Sequence, residues 1–155
     1  MKMYLLCSFI LALIALVGGA SAQQTKSDLE KANLFGPVAK VKLESTYFRF
    51  EHDKFVESER ELRETSEYDR QGKLVSQKKI PMFGDPLPCH PQYKYDDKHR
   101  ETEKFCQEGT RERLLEKYEY ADDRYGNWIK RSAFVFDTDG FRLQWVFYRT
   151  ITYFD

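Results

Sequence analysis

The stretch that decides the fold class, residues 118–143, reads YEYADDRYGNWIKRSAFVFDTDGFRL. Two pairs of aromatic residues each precede acidic residues and a glycine: Tyr118 with Tyr120, and Phe134 with Phe136. Side chains two residues apart lie on the same face of a β-strand, so each pair presents two rings on one face. An Asp that bonds its own backbone and a Gly that adopts positive φ then favour a turn. The stretch therefore predicts antiparallel strands joined by turns.

Similar aromatic–turn units occur earlier in the chain. They are Phe48 and Phe50 before Glu51-His52-Asp53, Tyr68 before Asp69-Arg70-Gln71-Gly72, and Tyr93 and Tyr95 before Asp96-Asp97-Lys98-His99. Five such units in one short chain indicate an array of hairpins. The last aromatic residues before the turns are 18, 27, 25 and 16 residues apart, which favours an irregular meander over a strict solenoid. We predict a mainly all-β fold, an irregular antiparallel meander or hairpin array with a short N-terminal helix.

The order Tyr-Asp-x-x-Gly followed by an apolar residue resembles the YD (Rhs-type) repeat of exported bacterial proteins. The units that carry this pattern are Tyr68, Asp69 and Gly72 (the fullest match), Phe136, Asp137 and Gly140 (a Phe variant), Tyr95 and Asp96 (with His99 in place of glycine), and Tyr120, whose Gly126 and Asn127 come late. The resemblance covers most of residues 47–155 through degenerate units. In large Rhs and teneurin-like proteins such repeats build shells around a cargo, and this chain is too short for a closed shell. The resemblance implies a type of fold and not an activity.

The N-terminal residues predict export. Lys2, the apolar run from Leu5 to Val17 and the small residues Ala20-Ser21-Ala22 follow the order of a signal peptide. The run is too short for a stable transmembrane helix, and Cys7 does not follow a lipoprotein-type cleavage motif. An uncleaved N-terminal anchor is the alternative to cleavage.

These patterns divide the chain into three predicted segments. We predict a signal peptide over residues 1–22, an N-terminal segment with a short helix over 23–37, and an antiparallel β-repeat domain over 38–155. The protein is expected in the periplasm or outside the cell, with no stable membrane span after cleavage. Its 25 basic and 25 acidic side chains balance, which argues against nucleic acid as a partner because nucleic-acid binding needs a basic stripe. The expected partner is an envelope protein or a polysaccharide, and the oligomeric state is left open.

Cys89 and Cys106 are the cysteines that remain after cleavage, and export favours a disulfide between them. If Asp96 to His99 form the turn of a hairpin, Tyr95 faces Arg100 and Cys89 faces Cys106. Directly opposed residues of this kind are close enough to bridge. A metal site made with His90 and His99 is the alternative, but its spacing fits no common zinc pattern.

Local signals place the remaining elements. Ser27 and Glu30 have the order of a capping box and predict a helix from about Asp28 to Asn33, ended by Gly36-Pro37. The expected strands are residues 38–50, 74–80, 93–106 (a hairpin), 114–120, 128–136 and 141–153. Residues 55–67 have helix-forming composition but lie between aromatic–Asp turns, so we assign a strand and keep helix as the alternative. The strand at 141–153 is apolar on both faces, which is typical of a central strand.

The binding surface is expected on loops or exposed rings. Residues 81–91 contain four prolines, including Pro86 and Pro88, and form a candidate recognition loop or a simple connection. Trp128 and Trp145 are candidate platforms for sugars, although core packing is the more common role of such rings. The end of the first strand is aromatic on both faces, so either the sheet is covered there on both sides or one side binds a partner.

The chain carries none of the usual catalytic motifs: no phosphate-binding glycine loop, no nucleophile elbow and no His-Glu-x-x-His pair. Asp137-Thr138-Asp139-Gly140 resembles part of a calcium loop, but the turn explains the same residues. We therefore predict a non-catalytic binding, interaction or structural module without a cofactor. A small envelope hydrolase and a carbohydrate-binding module are the alternatives.

Overall fold

The computed structural model describes residues 26–52, 54–82, 89–109 and 111–155. The predicted signal peptide and the prolines Pro86 and Pro88 lie outside these ranges. All statements about contacts and cavities below refer to the described residues.

One short helix and nine strands make up the described part of the chain. In order they are α1 Asp28–Lys31, β1 Val38–Glu51, β2 Lys54–Glu57, β3 Glu61–Tyr68, β4 Leu74–Lys79, β5 Pro91–Tyr95, β6 Glu101–Glu108, β7 Arg111–Asp122, β8 Trp128–Asp137 and β9 Gly140–Tyr153. The mainly all-β prediction and the strand assignment at 55–67 are confirmed, although Ser58 to Arg60 divide that region between β2 and β3.

The strands form one open antiparallel sheet in the order β4-β3-β1-β9-β8-β7-β6-β5, with β2 paired to β1. From β5 to β9 every strand pairs with the next along the chain, as a meander requires. The last strand, β9, then pairs with the first, β1. This places β9 inside the sheet, as its apolar residues on both faces predict.

Three turns with the same geometry lie at one end of the sheet, between β3 and β4, β5 and β6, and β7 and β8. They begin at Asp69, Asp96 and Asp123, which are 27 residues apart in each case. Each aspartate Oδ1 accepts hydrogen bonds from the backbone N–H groups two and four residues later. The residue three positions on is left-handed in every turn, which suits glycine.

The aspartates of these three turns therefore recur regularly, although the aromatic residues before the turns do not. In the third turn Asp122 stands before Asp123, where the first two turns have Tyr68 and Tyr95. The length of the repeat therefore has to be measured between the aspartates and not between the aromatic residues. The units with Phe48 and Phe50 and with Phe134 and Phe136 differ again, because the β1–β2 and β8–β9 hairpins turn at the opposite end of the sheet.

The N-terminal segment runs across the three turns. Leu29 N donates to the Gly72 carbonyl in the first turn, and Asn33 Nδ2 donates to the Lys98 carbonyl in the second. Phe35 N donates to Asn127 Oδ1 beside the third, at 2.7 Å. These bonds tie residues 29–35 to hairpins that are far away in sequence.

The predicted capping box is present. Ser27 Oγ accepts from Glu30 N and Glu30 Oε2 accepts from Ser27 N. The helix ends at Lys31, however, two residues before the expected Asn33, so Gly36-Pro37 do not end it. Asn33 adopts a left-handed φ of 53° just beyond the C-cap, a conformation that asparagine tolerates and that stops a helix without glycine.

A small core lies between this segment and the sheet. Leu34, Val38, Val41 and Tyr68 are buried there, and Leu29, Ala32, Leu74, Ile151 and Tyr153 pack around them. Because β1 supplies two of the four buried residues and β9 pairs with β1, the first and last strands enclose this core together.

Cys89 and Cys106 form the predicted disulfide, with their Cα atoms 5.9 Å apart. The strand register behind that prediction is wrong, because Pro91 and not Cys89 faces Cys106. The turn closes between Tyr95 and Glu101, and Thr102 is an extra residue in β6. Together they shift the pairing by two residues, and Cys89 reaches Cys106 from just outside β5.

Loss of this disulfide is expected to lower the free energy of unfolding by about 3 kcal/mol, because the crosslink restricts the unfolded chain. Cys89→Ser combined with Cys106→Ala is the suitable variant, since the Cys106 side chain is buried and alanine leaves no buried hydroxyl. Urea unfolding of this variant should match that of the reduced wild type. A loss below about 1 kcal/mol in both samples would show that the bond adds little to stability.

Candidate functional site

Two neighbouring hairpins carry a cross-strand pair of phenylalanines at the end of the sheet away from the helix. Phe50 faces Phe55 in the β1–β2 hairpin, with ring centroids 5.2 Å apart. Phe136 faces Phe141 in the β8–β9 hairpin, with ring centroids 5.3 Å apart. Because β1 is adjacent to β9, the two pairs lie side by side.

Three of these four rings are open to solvent, and Phe141 is half-buried. Phe50 is 60% exposed, Phe55 52% and Phe136 51%. An exposed single phenylalanine is ordinary, but contiguous exposed rings on a small protein are typical of an interaction surface. We call Phe48, Phe50, Phe55, Phe136 and Phe141 the phenylalanine patch.

Two adjoining depressions follow the patch. One has a volume of about 410 Å³ and lies between the hairpins; its lining comprises Phe48, Phe50, Phe55, Val135, Phe136, Asp137, Arg142, Leu143 and Gln144. The other has a volume of about 420 Å³ and extends towards β7, lined by Arg111, Glu112, Arg113, Leu114, Phe136 and Phe141. Phe136 lines both, so the depressions adjoin at its ring, and we call the two together the groove. Polar and charged side chains share its lining with the phenylalanines.

The charged residues at the margin neutralise one another where Arg142 lies. Arg142 Nη1 is 3.3 Å from Asp137 Oδ2, and its Nη2 is 2.7 Å from Asp139 Oδ2. The Thr138 backbone N–H and the charge of Arg142 hold the pKa of Asp137 below its usual value. Both carboxylates of the candidate calcium loop are therefore engaged by an arginine.

The two tryptophans are half-buried and contact other side chains. The guanidinium carbon of Arg149 lies 3.6 Å from the centroid of the Trp128 ring, over its face. Trp145 packs against Tyr47, with centroids 5.6 Å apart. The stacking face that a sugar would use on Trp128 is thus occupied on one side.

The structure distributes the predicted repeat residues over both ends of the sheet. Tyr68 is buried in the small core, and Asp69, Gly72, Asp96 and Gly126 form the three related turns. Tyr95 is exposed, whereas the Tyr120 hydroxyl donates to the Glu101 carbonyl at 2.8 Å. Only Phe136, Asp137 and Gly140 lie at the phenylalanine patch, so the repeat turns and the patch are separate features.

Sequence reasoning missed Phe55 and Phe141 as site residues. The sequence indicated the aromatic end of β1 as a possible binding surface through Phe48 and Phe50. It did not indicate that the β8–β9 hairpin lies beside that end. The two hairpins become neighbours only through the pairing of β1 with β9, which are far apart in the sequence.

No group of three or more His, Cys, Asp or Glu residues in the described ranges is arranged to hold a metal ion. The disulfide also engages both cysteines of the alternative zinc site. His52 and His99 lie in turns with left-handed backbone. In the same part of the chain, every helix is too short or too polar to cross a membrane.

The chain matches no protein-family model, no curated protein and no solved structure. The relationship to YD-type repeats therefore stays a prediction from the residues quoted above. A role for the phenylalanine patch has to be inferred from its own geometry and chemistry.

Proposed function

We propose that this chain is an exported, non-catalytic protein with YD-like β-repeats that binds another protein of the cell envelope through the phenylalanine patch. The observation that carries the proposal is the exposure of Phe50, Phe55 and Phe136 around one groove at the end of the sheet. Keeping such rings in water is unfavourable, by roughly 25 cal/mol for each Å² of apolar surface, and a partner that covers them recovers this free energy.

A protein segment suits the groove better than a sugar. Its rings are all phenylalanines, and the charged residues at the β8–β9 turn pair with one another through Arg142. Sugars need hydrogen-bonding groups beside a stacking ring, whereas a protein interface has an apolar aromatic centre and a polar rim. The expected occupant is therefore a segment with aliphatic or aromatic side chains that lies along both depressions.

Export is supported by two features of the chain. A disulfide between Cys89 and Cys106 is compatible with an oxidising compartment. The order of residues 1–22 predicts a signal peptide, as argued from the sequence. Together they favour a partner in the periplasm or at the cell surface.

Substitution of Phe50 and Phe136 by serine is expected to weaken binding of the partner at least tenfold, because exposed rings at the centre of an interface act as hot spots. The wild-type protein and the F50S/F136S variant would be immobilised and exposed to envelope extract from the source cells. Retained proteins would be compared by quantitative mass spectrometry, and the affinity of the enriched protein would then be measured with purified components.

Val75→Ser is the matched control, because Val75 is 66% exposed on the edge strand β4, away from the patch. This variant should retain the partner as the wild type does, and all three proteins should show the same circular dichroism. Equal retention by F50S/F136S would refute a role for the patch. Retained polysaccharide would favour the carbohydrate-binding alternative, and cleaved envelope fragments would favour a hydrolase.

A further inference from the structure

Arg149 is half-buried on the face of β9 opposite to Tyr148. Its guanidinium carbon is 3.6 Å from the centroid of the Trp128 ring, and its strand neighbour across β1 is Leu43. Arg131 lies beside it on β8, 4.3 Å from the Phe147 ring centroid. Two arginines are thus placed among aromatic and apolar side chains near the middle of the sheet.

Neither arginine has a carboxylate partner within the described ranges. Arg149 Nη1 and Arg131 Nε are buried and make no hydrogen bond to any described residue. Burial and the positive charge of Arg131 lower the pKa of Arg149 to about 10. The aromatic ring compensates part of the desolvation of the cation, and the charge of Glu64 offsets a further part. Buried charges are normally paired directly, whereas Arg149 Nη1 has no hydrogen-bond partner among the described residues.

A cavity of about 220 Å³ opens next to Arg149. It lies between the N-terminal segment and strands β1, β3 and β4, and its walls comprise Ala32, Leu34, Val41, Leu43, Glu64, Ser66, Tyr68, Gln77, Lys79 and Arg149. Arg149 and Lys79 are its cations, and Glu64 is its single carboxylate.

Glu64 is already engaged by its neighbours. Its Oε1 accepts from Ser66 Oγ at 2.7 Å and from Gln77 Nε2 at 2.9 Å, and its Oε2 is 3.8 Å from Lys79 Nζ. Glu64 therefore makes its direct contacts with Ser66, Gln77 and Lys79. It forms no salt bridge with Arg149 among the described residues, although its charge raises the pKa of that guanidinium against the effect of burial.

We propose that this cavity is a binding site for a small oxyanion, the carboxylate, sulfate or phosphate group of a ligand, held by Arg149. A planar guanidinium is suited to such groups because it can donate two parallel hydrogen bonds to one oxyanion. The volume admits the oxyanion with a few further atoms, since one water occupies about 30 Å³ in the liquid. Leu43, the β1 neighbour of Arg149, lies on the face of β1 opposite to Phe48 and Phe50, so the site does not depend on the proposed protein partner.

The test uses protein purified after expression of the full chain in an exporting host. Thermal unfolding would be followed in sodium phosphate, sulfate and acetate, each against sodium chloride at equal ionic strength. A bound oxyanion should raise Tm with a saturable dependence on concentration, and the ion with the greatest effect identifies the chemical class. Equilibrium dialysis with the radiolabelled ion should give one site per chain.

Arg149→Gln should abolish the saturable rise, and Arg149→Lys should weaken it because the second hydrogen bond is lost. Arg60→Gln is the matched control: Arg60 also lies 3.6 Å from an aromatic centroid, that of Tyr148, but on the opposite face and exposed. It should keep the full response. A rise that never saturates, or that persists in Arg149→Gln, overturns the proposal. If Arg149→Gln does not fold, absence of dialysis binding to the wild type overturns it equally.

Discussion

Removal of residues 145–155 is expected to abolish folding. These residues form most of β9, which pairs with β1 along one edge and with β8 along the other. Without them the sheet divides into a part containing β4, β3 and β1 and a part running from β8 to β5. Both parts would expose unpaired strand edges that the complete chain joins.

The free energy lost with the apolar side chains of this segment is comparable to the whole free energy of unfolding. Val146 and Phe147 are buried, and Ile151 and Tyr153 pack against the small core. Burying one large apolar side chain contributes about 1.5–3 kcal/mol, whereas a domain of this size is stable by about 5–15 kcal/mol. Removing four such side chains together with two strand pairings therefore leaves too little to offset the entropy of the chain.

Far-UV circular dichroism, size exclusion and limited proteolysis of the truncated chain would test this. We expect aggregation or rapid cleavage with no native β-sheet spectrum. Deletion of Asp155 alone, which lies beyond β9, is the control and should leave the spectrum unchanged. A soluble chain ending at residue 144 with the native spectrum would contradict the expectation.

Asn127→Leu is expected to lower the free energy of unfolding by about 3 kcal/mol, because it leaves several buried polar groups without partners. The Asn127 side chain is only 1% exposed. Its Oδ1 accepts from Phe35 N at 2.7 Å, and its Nδ2 donates to the Phe35 carbonyl and to Tyr153 Oη, both at 2.8 Å. Leucine has a similar size, so the effect isolates the hydrogen bonds.

The same asparagine connects three distant segments. Tyr153 Oη also donates to Asp123 Oδ2 in the third turn. Burial disfavours the charged Asp123 carboxylate, but the hydrogen bonds from Tyr153, Tyr125 N and Asn127 N outweigh this and lower its pKa. Substitution of Asn127 should therefore loosen the N-terminal segment, the third turn and the end of β9 together.

Urea unfolding monitored by tryptophan fluorescence measures this change. Asn33→Gly is the matched control, since it removes one side-chain hydrogen bond, to the Lys98 carbonyl, and glycine accepts the left-handed backbone. It should lower the free energy of unfolding by only about 1 kcal/mol. If Asn127→Leu lowers the free energy of unfolding no more than Asn33→Gly does, the hydrogen bonds around Asn127 are not a main determinant of stability.

Local sequence patterns correctly predicted most elements of this fold. The alternation in Val38 to Phe50 predicts β1, and the Ser27–Glu30 capping box predicts the start of the helix. These features depend on the backbone and on neighbours a few residues away, so the sequence alone specifies them. The Asp-x-x-Gly turns are predictable for the same reason, because an aspartate bonds backbone N–H groups that follow it closely.

Local sequence patterns did not predict the register between β5 and β6. The extra residue Thr102 and the longer turn from Asp96 to Arg100 move Pro91 opposite Cys106. Such bulges depend on how two strands pack and twist against their neighbours. The disulfide prediction was nevertheless correct, since a cysteine just beyond the strand still reaches its partner.

By itself the sequence determined the antiparallel β-class, the three aspartate turns, the helix start and the Cys89–Cys106 pairing. Only the tertiary structure decided that β1 pairs with β9, and this pairing brings Phe50 beside Phe136 and encloses Arg149 next to a cavity. Backbone preferences and capping bonds act over a few residues, whereas these neighbours come together when the whole sheet assembles. These contacts are stabilised by burial and hydrogen bonds between segments at opposite ends of the chain. A local sequence pattern therefore cannot predict them.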